Sequence, residues 1–215
     1  MDTNATYSVA LLGDSVFDNR AYTGGEPDVA ACLRAALPGG SKVTLCAIDG
    51  STTADVGRQI DRVPDHTTHV VLSVGGNDAL EQADMLALPC TSTADALDLF
   101  ADRLDAFEQA YGWTLDAVID RGRPVIVCTI YDAPLDGELA NRARVALMMF
   151  NDAIKRSALA RGVDVIDTRL VCTESTDFTQ QIEPSASGGA KIAKAIAHAL
   201  GATAGDHPTS RTTAG

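Results

Sequence analysis

Apolar residues fall along this chain in two alternating kinds of stretch. Five short, β-branched apolar runs, over residues 7–12, 42–48, 69–74, 124–130 and 163–167, have the length and composition of strands. Between them lie longer segments in which apolar residues recur every three or four positions, the period of a helix. The strand runs carry little polar alternation, so both of their faces are covered. Strands covered on both faces belong to a parallel sheet sandwiched between helices. The pattern therefore predicts an α/β fold with a five-stranded parallel sheet.

End signals place the helices. Pro27 opens a helix that runs to Leu37 and stops at Pro38-Gly39-Gly40, and Ser51-Thr52-Thr53 caps a second through about Arg62. Over residues 95–121 the side chains of Leu97, Phe100, Leu104, Phe107 and Tyr111 share one stripe, read as core and assigned no chemistry. A fourth helix is expected over 137–161 and a fifth from Gly188 to Leu200. With 215 residues, 46% of them hydrophobic, and no break in composition, residues 1–201 read as one domain. Residues 202–215 are small and polar and read as a disordered tail.

Charge narrows the partners. A formal net charge of −12 argues against attraction to nucleic acid or an anionic membrane, both of which need a basic face. The N-terminus has neither a basic segment nor an apolar one behind it, and no stretch reaches the roughly 18 apolar residues of a membrane span, so the reading is a soluble cytoplasmic protein. Cys32, Cys46, Cys90, Cys128 and Cys172 are odd in number, widely spaced and free of nearby histidine; they read as buried thiols, and no metal or cofactor site is expected.

The chemistry concentrates where the apolar runs stop. The first run ends in Gly13-Asp14-Ser15, the second in Asp49-Gly50-Ser51, the third in Gly75-Gly76-Asn77-Asp78. In an open parallel sheet ligands bind outside the carboxyl ends of the strands, so these three ends converge. Ser15 is then a candidate nucleophile, with the Gly50 amide and the Asn77 side chain as donors to a developing oxyanion. The plainer readings are a helix cap for Ser15 and a turn residue for Asn77.

These blocks, in this order and at strand ends, resemble those of the SGNH, or GDSL, hydrolase superfamily across nearly the whole chain. The resemblance implies a flavodoxin-like three-layer sandwich, Ser15 as nucleophile, an oxyanion hole built from the Ser15 amide, the Gly50 amide and Asn77, and a small-molecule acyl ester as substrate. Asp14, Asp18, Asp78 and Tyr131 are the expected substrate-binding positions, with Asn19, Tyr22 and Asp132 beside them, although Asp18 and Asn19 serve equally well as first-turn helix residues.

The chain departs from the family in its last block, where aspartate and histidine stand three residues apart. Here those positions hold Gln180 and Glu183. His66 and His69 precede the third strand, His198 is near the end of the last helix and His207 lies in the tail, so none replaces the missing base. Glu183 is expected to take that role, its pKa raised by burial beside Ile182 and Pro184, while Asp177 either hydrogen-bonds to it or caps a loop. The resulting expectation is a serine-dependent ester or acyl hydrolase with an atypical base and weak activity. Two alternatives stay open: a degenerate binding protein of the same fold, and an acyltransferase using the same serine.

Overall fold

The computed structural model describes residues 6–202 and Thr209–Ser210. Strands β1 (Ser8–Gly13), β2 (Lys42–Leu45), β3 (His69–Ser73), β4 (Val125–Cys128) and β5 (Asp164–Ile166) pair in parallel in the order β2-β1-β3-β4-β5. Each matches a run read from the sequence, β1 running one residue past its run to Gly13. Thr209–Ser210 pair antiparallel with Val165 and Ile166 at the outer edge of β5. That strand falls in the stretch read as a tail, whose other residues beyond Ala202 lie outside those described.

Strand residues divide by parity. Val9 and Leu11 of β1 face one layer, formed by α1 (Val29–Ala36) and α6 (Ala186–Ala199), through Leu33, Ile192 and Ile196. Ala10 and Leu12 face the other, formed by α2 (Val56–Ile60), α4 (Thr93–Ile119) and α5 (Gly137–Ala160), through Ile60, Tyr111, Leu115 and Ile154. Both sheet faces are thus dry, which is why the strands lack polar alternation. The caps are those the residue types favour: Asp28 accepts from the Ala31 amide at 2.7 Å, Ser92 from Asp95 at 3.1 Å and Ser185 from Gly188 at 3.2 Å.

Three elements differ from the pattern reading. The stripe on α4 is buried only in its second half; Phe107 and Tyr111 are in the core but Leu97 is 64% exposed. At 27 residues this helix is about 40 Å long, more than twice the span of the strands it crosses, so its first turns overhang the sheet. The helix expected after Ser51 begins as a 3-10 turn, Thr53–Asp55, with a Thr52–Asp55 capping box, before α2. After β3 a short helix, α3 (Gly76–Glu81), and a 3-10 turn, Ala83–Ala87, occupy what composition reads as a loop.

The end of β1 is fixed by a close backbone approach. Gly13 has φ +130°, and a Cβ there would stand 1.7 Å from the Ser73 carbonyl oxygen of β3. Only glycine lets the two strands meet at this point and release the chain into the Asp14-Ser15 turn. Gly13→Ala is expected to lower stability by about 3 kcal/mol or more, read as a shift of the urea midpoint; an unchanged midpoint contradicts the contact.

Candidate active site

Ser15 follows β1, Gly50 and Ser51 follow β2, Asn77 sits in the first turn of α3, and Tyr131 follows β4. Glu183 arrives from a fifth direction, on a two-strand hairpin of β6 (Phe178–Thr179) and β7 (Glu183–Pro184) that precedes α6. Ser15, Asn77, Glu183, Asp14 and Tyr131 line one cavity of about 300 Å3. Its remaining walls are mostly apolar, with Val74 and Ile130 from just past β3 and β4, and Leu80, Met85, Leu86 and Leu147 from α3, the turn after it and α5. Asp132, Asn141 and Arg144 are its polar lining away from Ser15.

Of the three expected oxyanion donors, Ser15 and Asn77 line the cavity and Gly50 is not among its lining residues. Asp14 donates its amide to Ser73 O at 3.2 Å and the Val16 amide turns back onto Asp14 Oδ1 at 3.1 Å, whereas the Ser15 and Gly50 amides donate to no group among the described residues. Asn77 gives one Nδ2 hydrogen to Ser51 O at 2.9 Å. Its second hydrogen has no partner among the described residues and is available to a ligand.

Glu183 is 9% exposed, and its Oε2 is buried without a hydrogen-bond partner. Burial raises its carboxyl pKa above the usual range; the Ser15 hydroxyl, close enough to interact, draws it down, and Asp49 raises it again. Both peptide carbonyls flanking Glu183 are pinned: Tyr131 donates its hydroxyl to Ile182 O at 2.6 Å, and Asn19 donates Nδ2 to Pro184 O at 3.0 Å. Gln180 and Gln181, at φ 45° and 73°, turn the hairpin through the left-handed region, a strain of about 1–3 kcal/mol per residue. Gln180 is exposed at this tip and offers Glu183 nothing in place of an aspartate.

The other candidates separate. Asp14 lines the cavity and is buried; desolvation, with Glu183 and Asp78 nearby, lifts its pKa to about 7 although the Val16 amide opposes the shift. Tyr131 lines the cavity, with Phe178 edge-on against its ring at 5.1 Å. Asp78 does not: its carboxylate accepts the Thr53 amide at 3.1 Å and the Thr53 hydroxyl at 2.6 Å, holding α3 to the turn before α2. Asp18 likewise accepts the Asp49 amide at 3.1 Å, and Asp49 accepts the Tyr22 hydroxyl at 2.6 Å.

Asp177, open between two roles in the sequence, takes the loop one; it is buried and accepts the Thr173 and Glu174 amides at 3.1 and 3.0 Å and Lys191 Nζ at 2.7 Å. Among the described residues no histidine lines the cavity, and no group of three His, Cys, Asp or Glu side chains is placed to hold a metal ion. His69 starts β3 opposite Val9, at the far edge of the sheet from Ser15.

Sequence reasoning missed the buried amides that hold these loops. Gln59 of α2 binds the Gly13 peptide on both sides, and Asn151 of α5 does the same to Ile130, accepting its amide at 2.7 Å and donating to its carbonyl at 2.8 Å. A polar residue on an apolar helix face was the available signal, since buried polar groups are retained only when satisfied.

Asp14 gives a test of this electrostatic picture. Its carboxyl binds a proton up to about pH 7 in the folded chain but only to 3.8 unfolded, so folding stability falls as pH rises between those values, by about 4 kcal/mol in all. Asp14→Asn keeps the acceptor for Val16 and removes the charge. Its Tm is expected to match wild type near pH 4 and exceed it at pH 8; parallel Tm profiles contradict the burial of this charge.

The fold recurs in other proteins. A model of the GDSL-like lipase/acylhydrolase family matches residues 11–192. Among solved structures the chain is similar in fold to an extracellular lipase from Streptomyces rimosus, with 22% identity, 93% of this chain and 100% of that one covered and a TM-score of 0.65. A phospholipase A1 from Streptomyces albidoflavus has 18% identity, coverage of 91% and 99% and a TM-score of 0.64. Axe2, an acetylxylan esterase from Geobacillus stearothermophilus, has 16% identity, coverage of 94% and 97% and a TM-score of 0.66. No curated protein matches the sequence. Among the described residues no helix is long and apolar enough to cross a membrane. With a family match over most of its length, and Ser15 and Asn77 meeting at one cavity, the chain belongs to the GDSL-like lipase/acylhydrolase family.

Proposed function

We propose that this protein is a serine-dependent carboxylic-ester hydrolase in which Glu183 replaces the family's histidine as the proton-transfer group. The observation that carries the reading is the buried Glu183 carboxyl, with one oxygen unpartnered, facing the Ser15 hydroxyl in a largely apolar cavity. Ser15 Oγ attacks the ester carbonyl carbon while its proton passes to the Glu183 carboxylate. The carbonyl π pair moves onto oxygen, where the Ser15 amide, the Gly50 amide and the free Asn77 hydrogen stabilise it. Collapse breaks the bond to the alcohol oxygen, which leaves with the proton from Glu183. Water then adds to the acyl-serine, giving one proton to Glu183, and the second collapse returns that proton to Ser15 Oγ as the acid departs.

Glutamate suits this cycle only if its pKa is raised, because a base far below the working pH accepts a proton poorly. Burial and Asp49 supply the shift. The cavity, about 300 Å3, is at the small end of ligand sites, which run from about 300 to 1,000 Å3, and its apolar walls favour a short to medium acyl chain. The exposed Asp49 carboxylate disfavours an anionic alcohol.

Hydrolysis of p-nitrophenyl esters tests this. Ser15→Ala is expected to lower kcat by about 10⁴-fold or more, and the hexanoate ester is expected to exceed the acetate in kcat/KM. Glu183 works as a base only when ionised, so kcat/KM falls as pH drops through a pKa above 4.5, its unshifted value. Equal rates for wild type and Ser15→Ala contradict the proposal.

A further inference from the structure

The geometry points to Gln59 as the positioning residue of the oxyanion hole, tying its three donor loops together; the inference rests on the esterase reading above. Gln59 is fully buried on α2 and touches neither Ser15 nor the cavity. Its Oε1 accepts the Gly13 amide at 2.7 Å, and its Nε2 donates to Gly13 O at 2.8 Å and to Ser51 Oγ at 3.1 Å. The two Nε2 hydrogens and the carbonyl oxygen are all used. The orientation of the amide is forced, because the Gly13 N–H can only donate and so must face Oε1, while Gly13 O, which also accepts the Ile48 amide at 3.1 Å, can only accept.

The connections run on from there. Gly13 leads directly into Asp14 and Ser15, whose amide is one donor. Ser51 follows Gly50, whose amide is the second. The Ser51 carbonyl accepts Asn77 Nδ2 at 2.9 Å and so fixes the third. One side chain therefore joins the ends of β1 and β2 and, through Ser51, the start of α3. Such a hole works only if its donors stay aimed at where charge develops, and a displacement of about 1 Å costs on the order of 100-fold in rate.

Gln59→Ala leaves the Gly13 N–H and the Ser51 hydroxyl unpaired beside a void, the Gly13 carbonyl keeping the Ile48 amide at 3.1 Å, while Ser51→Ala cuts only the link between loops. The test compares both with wild type using p-nitrophenyl hexanoate, hexylboronic acid, hexan-1-ol and the urea midpoint. Boronic acid forms a tetrahedral serine adduct with an oxygen in the hole; hexanol fills the cavity without one. Gln59→Ala is expected to lower kcat and boronic acid affinity together, by about 10- to 100-fold, with KM and hexanol affinity within about threefold. Ser51→Ala is expected to show a smaller loss of the same kind, and it decides the matter if Gln59→Ala does not fold.

Unchanged kcat and boronic acid affinity in folded variants overturn the inference, as does a parallel loss of hexanol affinity, which marks general damage. If wild type binds no boronic acid and Ser15→Ala hydrolyses as fast as wild type, the esterase reading fails and this inference with it. Ser15-dependent hydrolysis that is indifferent to Gln59 and Ser51 defeats this inference alone.

Discussion

The Glu183 carboxyl is buried against Ser15, and an uncompensated carboxylate in that position is driven either to take up a proton or to turn out into water. Much of the surrounding structure opposes the second escape. Tyr131 and Asn19 bind the carbonyls on either side of it, and the hairpin that carries it turns through two glutamines held in the left-handed region. Asp177, linked to Lys191 of α6 and to the amides of Thr173 and Glu174, anchors the base of the same segment. What remains is the first outcome, a raised pKa, which is the property that proton transfer at neutral pH requires.

The sheet supplies the rest by geometry. Parallel strands deliver their ends to one edge, so groups far apart in sequence meet there without a common element. The segments after β1, β2 and β4 are held by buried amide side chains, Gln59 for the first two and Asn151 for the third, and Asn19 in the same way joins Pro184 O to the Val29 amide. Amides suit this work because they satisfy both a donor and an acceptor of the backbone without introducing charge. Two buried acids already stand at this site, and Glu183 raises the cost of ionising Asp14. A third charge among them would deepen that penalty.

Much of this was legible in the sequence, for physical reasons. Strands buried on both faces leave unbroken apolar runs, and caps and breakers declare helix ends. Ser15 and Asn77 could be placed because both fall within a few residues of a strand end, whereas Gly50, five residues past Leu45, is not among the cavity-lining residues. Other features depend on tertiary context that local pattern does not carry. Gly75-Gly76-Asn77-Asp78 has the composition of a turn, yet it opens α3, whose Asp78 is held by Thr53 across the loop. The stripe on α4 is periodic throughout, but burial ends where the sheet beneath it ends. Gln59 reads as an ordinary polar position on a helix until the packing of α2 brings it under Gly13. The absence of the family's histidine was plain at once; how Glu183 is held was not, because its supports come from Tyr131 and Asn19, distant in the chain.

The most direct measurement is kcat/KM for p-nitrophenyl hexanoate at pH 8 with Glu183→Gln beside wild type, both verified as folded. Glutamine preserves the shape and neutrality of the protonated acid and removes only its capacity to accept a proton. A loss of about 10²- to 10⁴-fold, the usual contribution of a general base, is the result this account predicts; wild-type turnover by Glu183→Gln would contradict it.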